Sequence, residues 1–197
     1  MKNVLIINAH QKFKGISEGD LNRSIVEIMA RELTKRGFQL KYTTIEDGYE
    51  LEEEQEKHLW ADFIIIQSPV YWFGTPWLHK KYMDEVFTDA IIKQTLLTGD
   101  GRTRTDFSQQ YGTGGKMKGK KMMLSLTWNA PEEAFDDQSQ YLLEGKGVDD
   151  VFFPIHGAYR FCGAESLPSF SCYNVMKSPN ITNDIVRLKA HLNKFIA

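Results

Sequence analysis

Short, continuous apolar runs recur along the chain and predict strands that are buried on both faces. The clearest runs are Val4–Ile7, Phe63–Ile66 and Met122–Leu126. Uninterrupted runs of this length are typical of parallel sheets covered by helices on both sides. Two weaker segments, Leu40–Thr44 and Glu165–Ser171, are expected to add one strand each. The pattern therefore predicts a five-stranded parallel sheet.

Between the predicted strands, apolar residues recur at spacings of three and four, which indicates helices with one buried face. The first helix is expected to have Asp20 as its N-cap and to end before Gly37. The last is expected to begin near Asn180 or Thr182. This alternation predicts one doubly wound α/β domain of the flavodoxin-like kind over residues 1–197. The apolar stripes are Leu21, Ile25, Ile28, Met29 and Leu33 in the first helix, and Ile185, Leu188, Leu192 and Phe195 in the last.

Two segments interrupt this regular order. Residues 88–119 are rich in glycine, and we interpret them as an insertion before the fourth strand that serves a function or an interface. The acidic run Glu50–Glu56 is interpreted as the solvated face of a helix, the alternative being a site for a metal or a cationic partner.

Composition narrows the class of protein. The 24 basic and 26 acidic residues give a formal charge of −2, which argues against a dedicated nucleic-acid binder. No apolar run approaches the ~20 residues that span a bilayer, and the start of the chain lacks a signal-peptide layout. We therefore expect a cytoplasmic protein without a membrane segment, in which Cys162 and Cys172 are reduced, buried thiols.

Candidate chemistry lies at the carboxyl ends of the strands, where open α/β sheets bind ligands. The first strand leads through Gly15–Gly19 into a helix, and the Gly-x-Gly-x-x-Gly turn of dinucleotide-binding domains is absent. Ser17 and the free amides of that helix would suit a phosphate, while the alternative is that Ser17 and Asp20 only cap the helix.

Aromatic residues follow the other two clear strands. Tyr71, Trp72 and Phe73 lie between Pro69 and Pro76, and Thr127–Ala130 includes Trp128. Aromatic planes with amides, and with no acid and base pair among them, suit a flat redox cofactor that supplies the chemistry itself. Trp77, by contrast, is expected to pack beneath its helix, and the scattered histidines predict no metal site.

Five ordered motifs make the chain similar to the modulator of drug activity B family. These are FAD-containing, NADPH-dependent quinone reductases with a flavodoxin-like fold, related to DT-diaphorase. The chain differs from many members in having Tyr71-Trp72 where two adjacent tryptophans often stand. The motifs are Ser17–Asn22, Trp72–Trp77 with Lys80–Tyr82, Asp100–Arg104, Tyr111–Gly115 and Ser125–Pro131.

The resemblance implies an FAD-dependent homodimer that transfers hydride from NADPH to quinones by a ping-pong mechanism, with no protein side chain as catalyst. Such a two-electron reaction would protect against redox stress. The implied cofactor-binding residues are Ser17, Glu18, Gly19, Asp20, Leu21, Asn22, Arg23 and Ser24 at the pyrophosphate, Pro69, Val70, Tyr71, Trp72 and Phe73 against the isoalloxazine, Thr127, Trp128, Asn129 and Ala130 at its other edge, and Tyr111 from the insertion.

Two questions stay open from the sequence. A flavodoxin-like electron carrier or redox-sensing flavin-binding module without steady turnover is the alternative class, although the first loop offers only Ser17 where such a carrier has several hydroxyls. Arg102, Arg104, Lys116 and Lys118 are candidates to read the 2′-phosphate of NADPH, or they form dimer or surface ion pairs.

Overall fold

The computed structural model describes residues 2–106 and 108–197, and its centre is one parallel sheet. The strands run in the order β2-β1-β3-β4, and both β5 and β6 pair with β4. The predicted doubly wound sheet is confirmed, but its fifth position is split at residues 167–169, where Pro168 has no N–H to donate. The strands are β1 (Asn3–Asn8), β2 (Gln39–Thr44), β3 (Phe63–Pro69), β4 (Lys121–Thr127), β5 (Glu165–Ser166) and β6 (Phe170–Cys172).

Helices cover both faces of the sheet. Val4 and Ile6 of β1 pack in a core with the first and last helices, whereas Leu5 and Ile7 belong to the core under the helices of the other face. Because successive side chains of a strand point to opposite faces, every residue of these apolar runs is buried. The helices are α1 (Asp20–Lys35), α2 (Leu51–Trp60), α3 (Trp77–Lys93), α4 (Val148–Val151), α5 (Phe153–Phe161) and α6 (Ile181–Phe195).

The predicted helix ends are partly confirmed. The N-cap of α1 is Gly19, with φ of 90°, so the assignment of Asp20 to the cap was wrong and Asp20 is the first helical residue. At the other end, Gly37 has φ of 81° and its N–H donates to the carbonyl of Thr34, as a C-terminal glycine should. The carboxamide of Asn180 accepts from the third residue of α6 and so confirms the predicted start.

The acidic run on α2 is not wholly solvated. Glu54 is fully buried, because α2 packs against α3 and Thr43 of β2 contacts the carboxylate. Its carboxylate accepts hydrogen bonds from Thr43 at 2.8 and 2.9 Å, from the Tyr82 hydroxyl at 2.6 Å and from the Lys57 ammonium at 2.6 Å. A buried carboxylate persists only when it is paired and hydrogen-bonded in this way. Reading the whole run as a solvated face was therefore wrong for Glu54.

The glycine-rich segment begins later than predicted, because α3 continues to Lys93. Residues 94–106 and 108–120 form no helix or strand, and the Met117 N–H donates to the carbonyl of Cys162, just after α5, at 2.9 Å. A Cβ on Gly115 would lie 2.1 Å from the carbonyl carbon of Cys162, so only glycine allows this approach. The segment is thereby held at the amino-terminal edge of the sheet.

Cys162 and Cys172 are both free and buried, as predicted. Burial raises the pKa of each thiol to about 12. In the described part of the chain, no helix combines the length and the apolar composition needed to cross a membrane.

Candidate functional site

A cleft of about 460 Å³ lies where the carboxyl ends of β1, β3 and β4 meet. It brings together most of the predicted first loop and the start of the aromatic loop. Of the other predicted residues, Arg23, Ser24, Trp72, Phe73, Tyr111, Trp128 and Ala130 do not line it. Its lining residues are His10, Ile16, Ser17, Glu18, Gly19, Asp20, Leu21, Asn22, Pro69, Val70, Tyr71, Thr127, Asn129, Val175 and Met176.

The amino end of α1 forms one wall of the cleft. The first backbone bond of the helix runs from the Arg23 N–H to the Gly19 carbonyl, so the three preceding N–H groups lie ahead of the helical ladder. No side chain of the described residues caps this end. Together with the helix dipole, these amides favour an anion.

The acidic side chains at this wall are already paired. Glu18 accepts from the Lys12 ammonium at 2.6 Å and from the Gly15 N–H at 2.9 Å, and the hydrogen bond with Lys12 lowers the pKa of Glu18. Asp20 forms an ion pair with Arg23 on the exposed side of α1. Lys12 and Arg23 therefore offset the negative charges of Glu18 and Asp20, which reduces their repulsion of an anion at the helix end.

A buried amide network holds α1 to the sheet beneath the cleft. The Asn22 side chain donates to the Asn8 carboxamide at 2.5 Å and accepts from the Gln67 side chain at 2.9 Å. These residues sit on α1, β1 and β3, and Asn22 is almost fully buried. The Asn22 side chain thus fixes the helix end rather than offering its amide to a ligand.

His10, which no sequence motif marked as a site residue, is buried at the base of the first loop. Its Nε2 lies 3.2 Å from Ser17 Oγ, and its Nδ1 lies 3.4 Å from a carboxylate oxygen of Glu46. Its one sequence signal was its position two residues after the end of β1, since neither partner is at a recognisable spacing.

The aromatic loop after β3 is a tight, strained turn. Tyr71 and Gly74 exchange backbone hydrogen bonds of 2.8 and 3.1 Å, while Trp72 and Phe73 at the centre have φ of 50° and 63°. Turns with two positive φ values normally carry Asn and Gly, and each bulky residue held there costs about 1–3 kcal/mol. Trp72 is nevertheless 96% exposed. The turn therefore combines a strained backbone with an indole that its own chain leaves uncovered.

Tyr71 is the residue that ties the aromatic turn to the first loop. Its hydroxyl donates to the Gln11 carbonyl at 3.0 Å, and its ring packs edge to face on Phe13 at 5.1 Å. Burial raises the pKa of Tyr71 above its usual value. Trp77, at the start of α3, is 62% exposed, so the expectation that it packs beneath the helix was wrong.

On the third wall, Thr127 and Asn129 reach the cleft but the ring between them does not. Trp128 is 2% exposed, and its indole packs edge to face between Phe135 and Phe152. Its Nε1–H donates to the Ser171 hydroxyl at 3.2 Å. Because successive side chains of a strand alternate, Trp128 faces the core when its neighbours face the ligand side.

Tyr111 lies at the opposite edge of the sheet from the cleft. Its ring packs on Phe161 at 5.3 Å, close to where β5 pairs with the first residue of β4. The seven residues of β4 separate the two edges by about 20 Å. Within one chain, Tyr111 therefore does not reach the cleft.

The basic residues of the insertion lie on the same distant segment. The Arg102 guanidinium donates to Asp100 through Nε at 2.9 Å and stacks over Tyr111 at 5.2 Å. Lys116 donates to the Gln94 carbonyl at 2.5 Å. For Arg102 the structure thus shows the ion-pair alternative. Over the described residues, no group of three or more His, Cys, Asp or Glu side chains is placed to hold a metal ion.

The parallel sheet, its strand order and a cleft at the carboxyl ends define a protein of the flavodoxin-like class. Comparison with known proteins agrees, because a family model described as a flavodoxin-like fold matches residues 2–196. The chain is 43% identical over 192 residues to the NADPH:quinone oxidoreductase MdaB of Haemophilus influenzae, covering 98% of each chain. It belongs to this family of oxidoreductase enzymes, which is the one that the sequence motifs resembled.

Solved structures show the same fold at lower sequence identity. A Klebsiella pneumoniae protein described as a candidate quinone reductase has a TM-score of 0.75 at 22% identity, with 100% of this chain and 84% of that chain covered. An FMN-dependent NADH-azoreductase of Bacillus anthracis, solved with FMN, has a TM-score of 0.64 at 15% identity and full coverage of both chains.

Proposed function

We propose that the protein is a flavin-dependent NADPH:quinone oxidoreductase whose cleft holds FAD. The observation that carries this proposal is an uncapped helix end in the wall of a cleft, with a strained aromatic turn that begins at the same cleft with Tyr71. A bound flavin would supply hydride acceptance from the nicotinamide and hydride donation to the quinone. Quinone reduction is supported by the relative of 43% identity, whose name states that activity.

The proposed roles of the residues follow from their positions. The backbone amides of Asp20, Leu21 and Asn22 would donate to the phosphates. Thr127 and Asn129 would offer a hydroxyl and an amide to the polar edge of the isoalloxazine. Val70 and the turn beyond it would cover one side of the ring. The Trp128 side chain is excluded from this set because it is buried in the core.

FAD is proposed over FMN on the shape of the cleft beyond the helix end. Ile16 and Met176 stand at its rim and are 74% and 66% exposed. Apolar side chains on the far side of the phosphate position suit a second flat ring, which FMN lacks. The azoreductase that was solved with FMN is only 15% identical, so its similarity shows the shared fold and does not bear on whether this chain binds FAD or FMN.

We further propose a homodimer in which the insertion of a second copy completes the site. Trp72 is almost fully exposed in one chain, and Tyr111 lies about 20 Å from the cleft of its own chain. A partner copy placed over Trp72 would bury the indole and bring its own insertion towards the ligand. On this arrangement, Arg104 and Lys118 of the insertion remain candidates for the NADPH phosphate, across the interface.

A cytoplasmic location is part of the same proposal. Its support is that both cysteines are free and buried, since disulfides are rare in that compartment.

One experiment tests the class and the cofactor together. The purified protein is reduced anaerobically with NADPH while its visible flavin absorbance is followed, and a quinone is then added. We expect bleaching, full recovery of colour on adding quinone, and release of FAD on heating. Slow bleaching without turnover would favour the carrier, and recovery of FMN alone would overturn the cofactor assignment.

A further inference from the structure

An apolar groove runs between α3 and α5, on the opposite face of the sheet from α1 and α6. Its volume is about 260 Å³, and it follows α3 from Lys80 to Ile91, a length of about 16 Å at the rise of a helix. Because α3 begins just beyond the aromatic turn, the groove leads away from the carboxyl edge of the sheet. The apolar side chains that line it are Met83, Phe87, Ile91, Pro154, Ile155 and Ala158.

The aromatic turn connects this groove with the cleft. Tyr71 lines the cleft, and Thr75 lines the groove. Between them the chain doubles back, since Tyr71 and Gly74 exchange backbone hydrogen bonds of 2.8 and 3.1 Å. Thr75 is therefore one residue from the contact with Tyr71. An extended ligand that crosses the turn would lie in the cleft at one end and in the groove at the other.

The polar groups at the rim of the groove are already engaged with the chain itself. The Lys80 ammonium donates to the Asp84 carboxylate at 2.7 Å across one turn of α3, and the Thr75 hydroxyl lies 2.9 Å from Nδ1 of His79. Among the apolar lining residues, the Met83 thioether is the one side-chain group that accepts a hydrogen bond, and it accepts weakly. The groove therefore favours a neutral hydrocarbon over an anion.

The dimensions of the groove suit a slender chain. An α-helix with its side chains is about 10–12 Å across, so a helix lying along the groove would need several times its volume of 260 Å³. An extended peptide would bring N–H and C=O groups that the apolar floor does not satisfy. A hydrocarbon tail needs no polar partner and gains from leaving water.

We propose that this groove binds the isoprenoid tail of a prenylated quinone while the quinone ring reacts in the cleft. The inference rests on the proposed function, and it narrows the substrate from quinones in general to those that carry an apolar tail. The groove adds no catalytic group. Burial of the tail contributes affinity and holds the ring near the cleft.

The first test compares benzoquinones that share one ring and carry no, one or two isoprenoid units. KM should fall by about tenfold with each unit, because burial of about two methylene groups already gives that factor. In Ala158→Phe the phenyl ring would occupy the groove, and KM should no longer depend on tail length. Ala190→Phe is the control, since it places the same ring on an exposed position of α6 at the other face. It should keep the dependence.

A binding measurement separates the groove from turnover. The full-length protein, labelled with carbon-13 in its methionine methyl groups, is titrated with farnesol, a prenyl alcohol that has no quinone ring. The Met83 signal should shift, whereas the signal of Met29, in the core of the other face, should not. The shift should be lost in Ala158→Phe and retained in Ala190→Phe.

The outcomes distinguish this inference from the proposed function. Equal dependence of KM on tail length in wild type and Ala158→Phe, or an unmoved Met83 signal in wild type, would overturn the inference, and quinone turnover would still support the proposed function. A dimer that Ala158→Phe dissociates, with Met83 unmoved by farnesol, would assign the groove to a second copy. A farnesol-dependent shift of Met83 in a protein that turns over no quinone would uphold a prenyl-binding groove and remove the proposed function. Neither a shift nor turnover would remove both.

Discussion

The aromatic turn and the buried cluster around Glu54 both hold residues in energetically unfavourable settings, but only the cluster compensates for the cost with hydrogen bonds. Trp72 and Phe73 are held at positive φ and left uncovered. Glu54 is a fully buried carboxylate, yet Thr43 and Lys57 satisfy its oxygens. At Glu54 the cost of a buried charge is offset by hydrogen bonds, whereas at the aromatic turn the cost of the strained backbone is left uncompensated within the chain.

The strongest test of this comparison is removal of the Glu54 carboxylate. Glu54→Ala leaves Lys57 and the Tyr82 hydroxyl without their buried partner and should lower the free energy of unfolding by about 3–5 kcal/mol. Urea denaturation measures the change. Glu53→Ala, on the exposed side of the same helix, is the matched control and should stay within about 0.5 kcal/mol of wild type. Equal effects would mean that the cluster is no more important than surface charge.

The aromatic turn should respond in the opposite direction. The double variant Trp72→Asn/Phe73→Gly places the residues that such a turn prefers, and it should stabilise the flavin-free protein by about 1–3 kcal/mol. Flavin retention and quinone turnover should fall, because the indole and phenyl rings are lost. Thermal unfolding and a flavin titration give the two readouts. A variant that is less stable without flavin would show that the turn carries no strain.

Lowering the pH should destabilise the core around His79, whereas the aromatic turn contains no group that titrates in this range. Burial lowers the pKa of His79 to about 3, so the unfolded chain binds a proton below about pH 6.5 that the folded chain refuses. His79 therefore contributes stability above that pH, and up to about 1.4 kcal/mol is lost with each pH unit below it. His79→Asn should flatten this decline in urea unfolding measured from about pH 7 to pH 4. An unchanged slope would assign the acid sensitivity to other groups.

The smallest effect separates the two exposed tryptophans. Trp77→Ala should change the free energy of unfolding by no more than about 0.5 kcal/mol, because Trp77 is 62% exposed. Its flavin affinity should match wild type, whereas Trp72→Ala should weaken flavin retention at similar stability. Titration of flavin into both variants measures this. Equal affinity in both would mean that Trp72 has no ligand role.

The sequence predicted the sheet because its apolar runs are long enough to be buried on both faces, and it predicted α6 because Asn180 is a strong cap. It could not show that Trp128 is buried and Trp77 exposed, which is the reverse of what was expected for the two residues. Exposure depends on which face of an element meets the core, and a short loop leaves that orientation undetermined.

The site was predicted as a set of loops rather than as contacts. Ser17 and Gly19 were found because a helix end is visible in the sequence. The partner of His10 was not visible, because Glu46 is brought to it by the pairing of β1 with β2. Likewise, the distance of Tyr111 from the cleft follows from its packing on Phe161, a contact across 50 residues of chain.

The break in the edge strand at Pro168 affects how readily another chain could pair with the sheet. An edge strand with a long row of free N–H and C=O groups invites another chain to add a strand. Here β5 and β6 offer two and three residues, with a residue between them that has no N–H. The β5/β6 edge of the sheet is thus too short and too irregular for another strand to pair along it. Pro168 therefore disfavours aggregation through this edge.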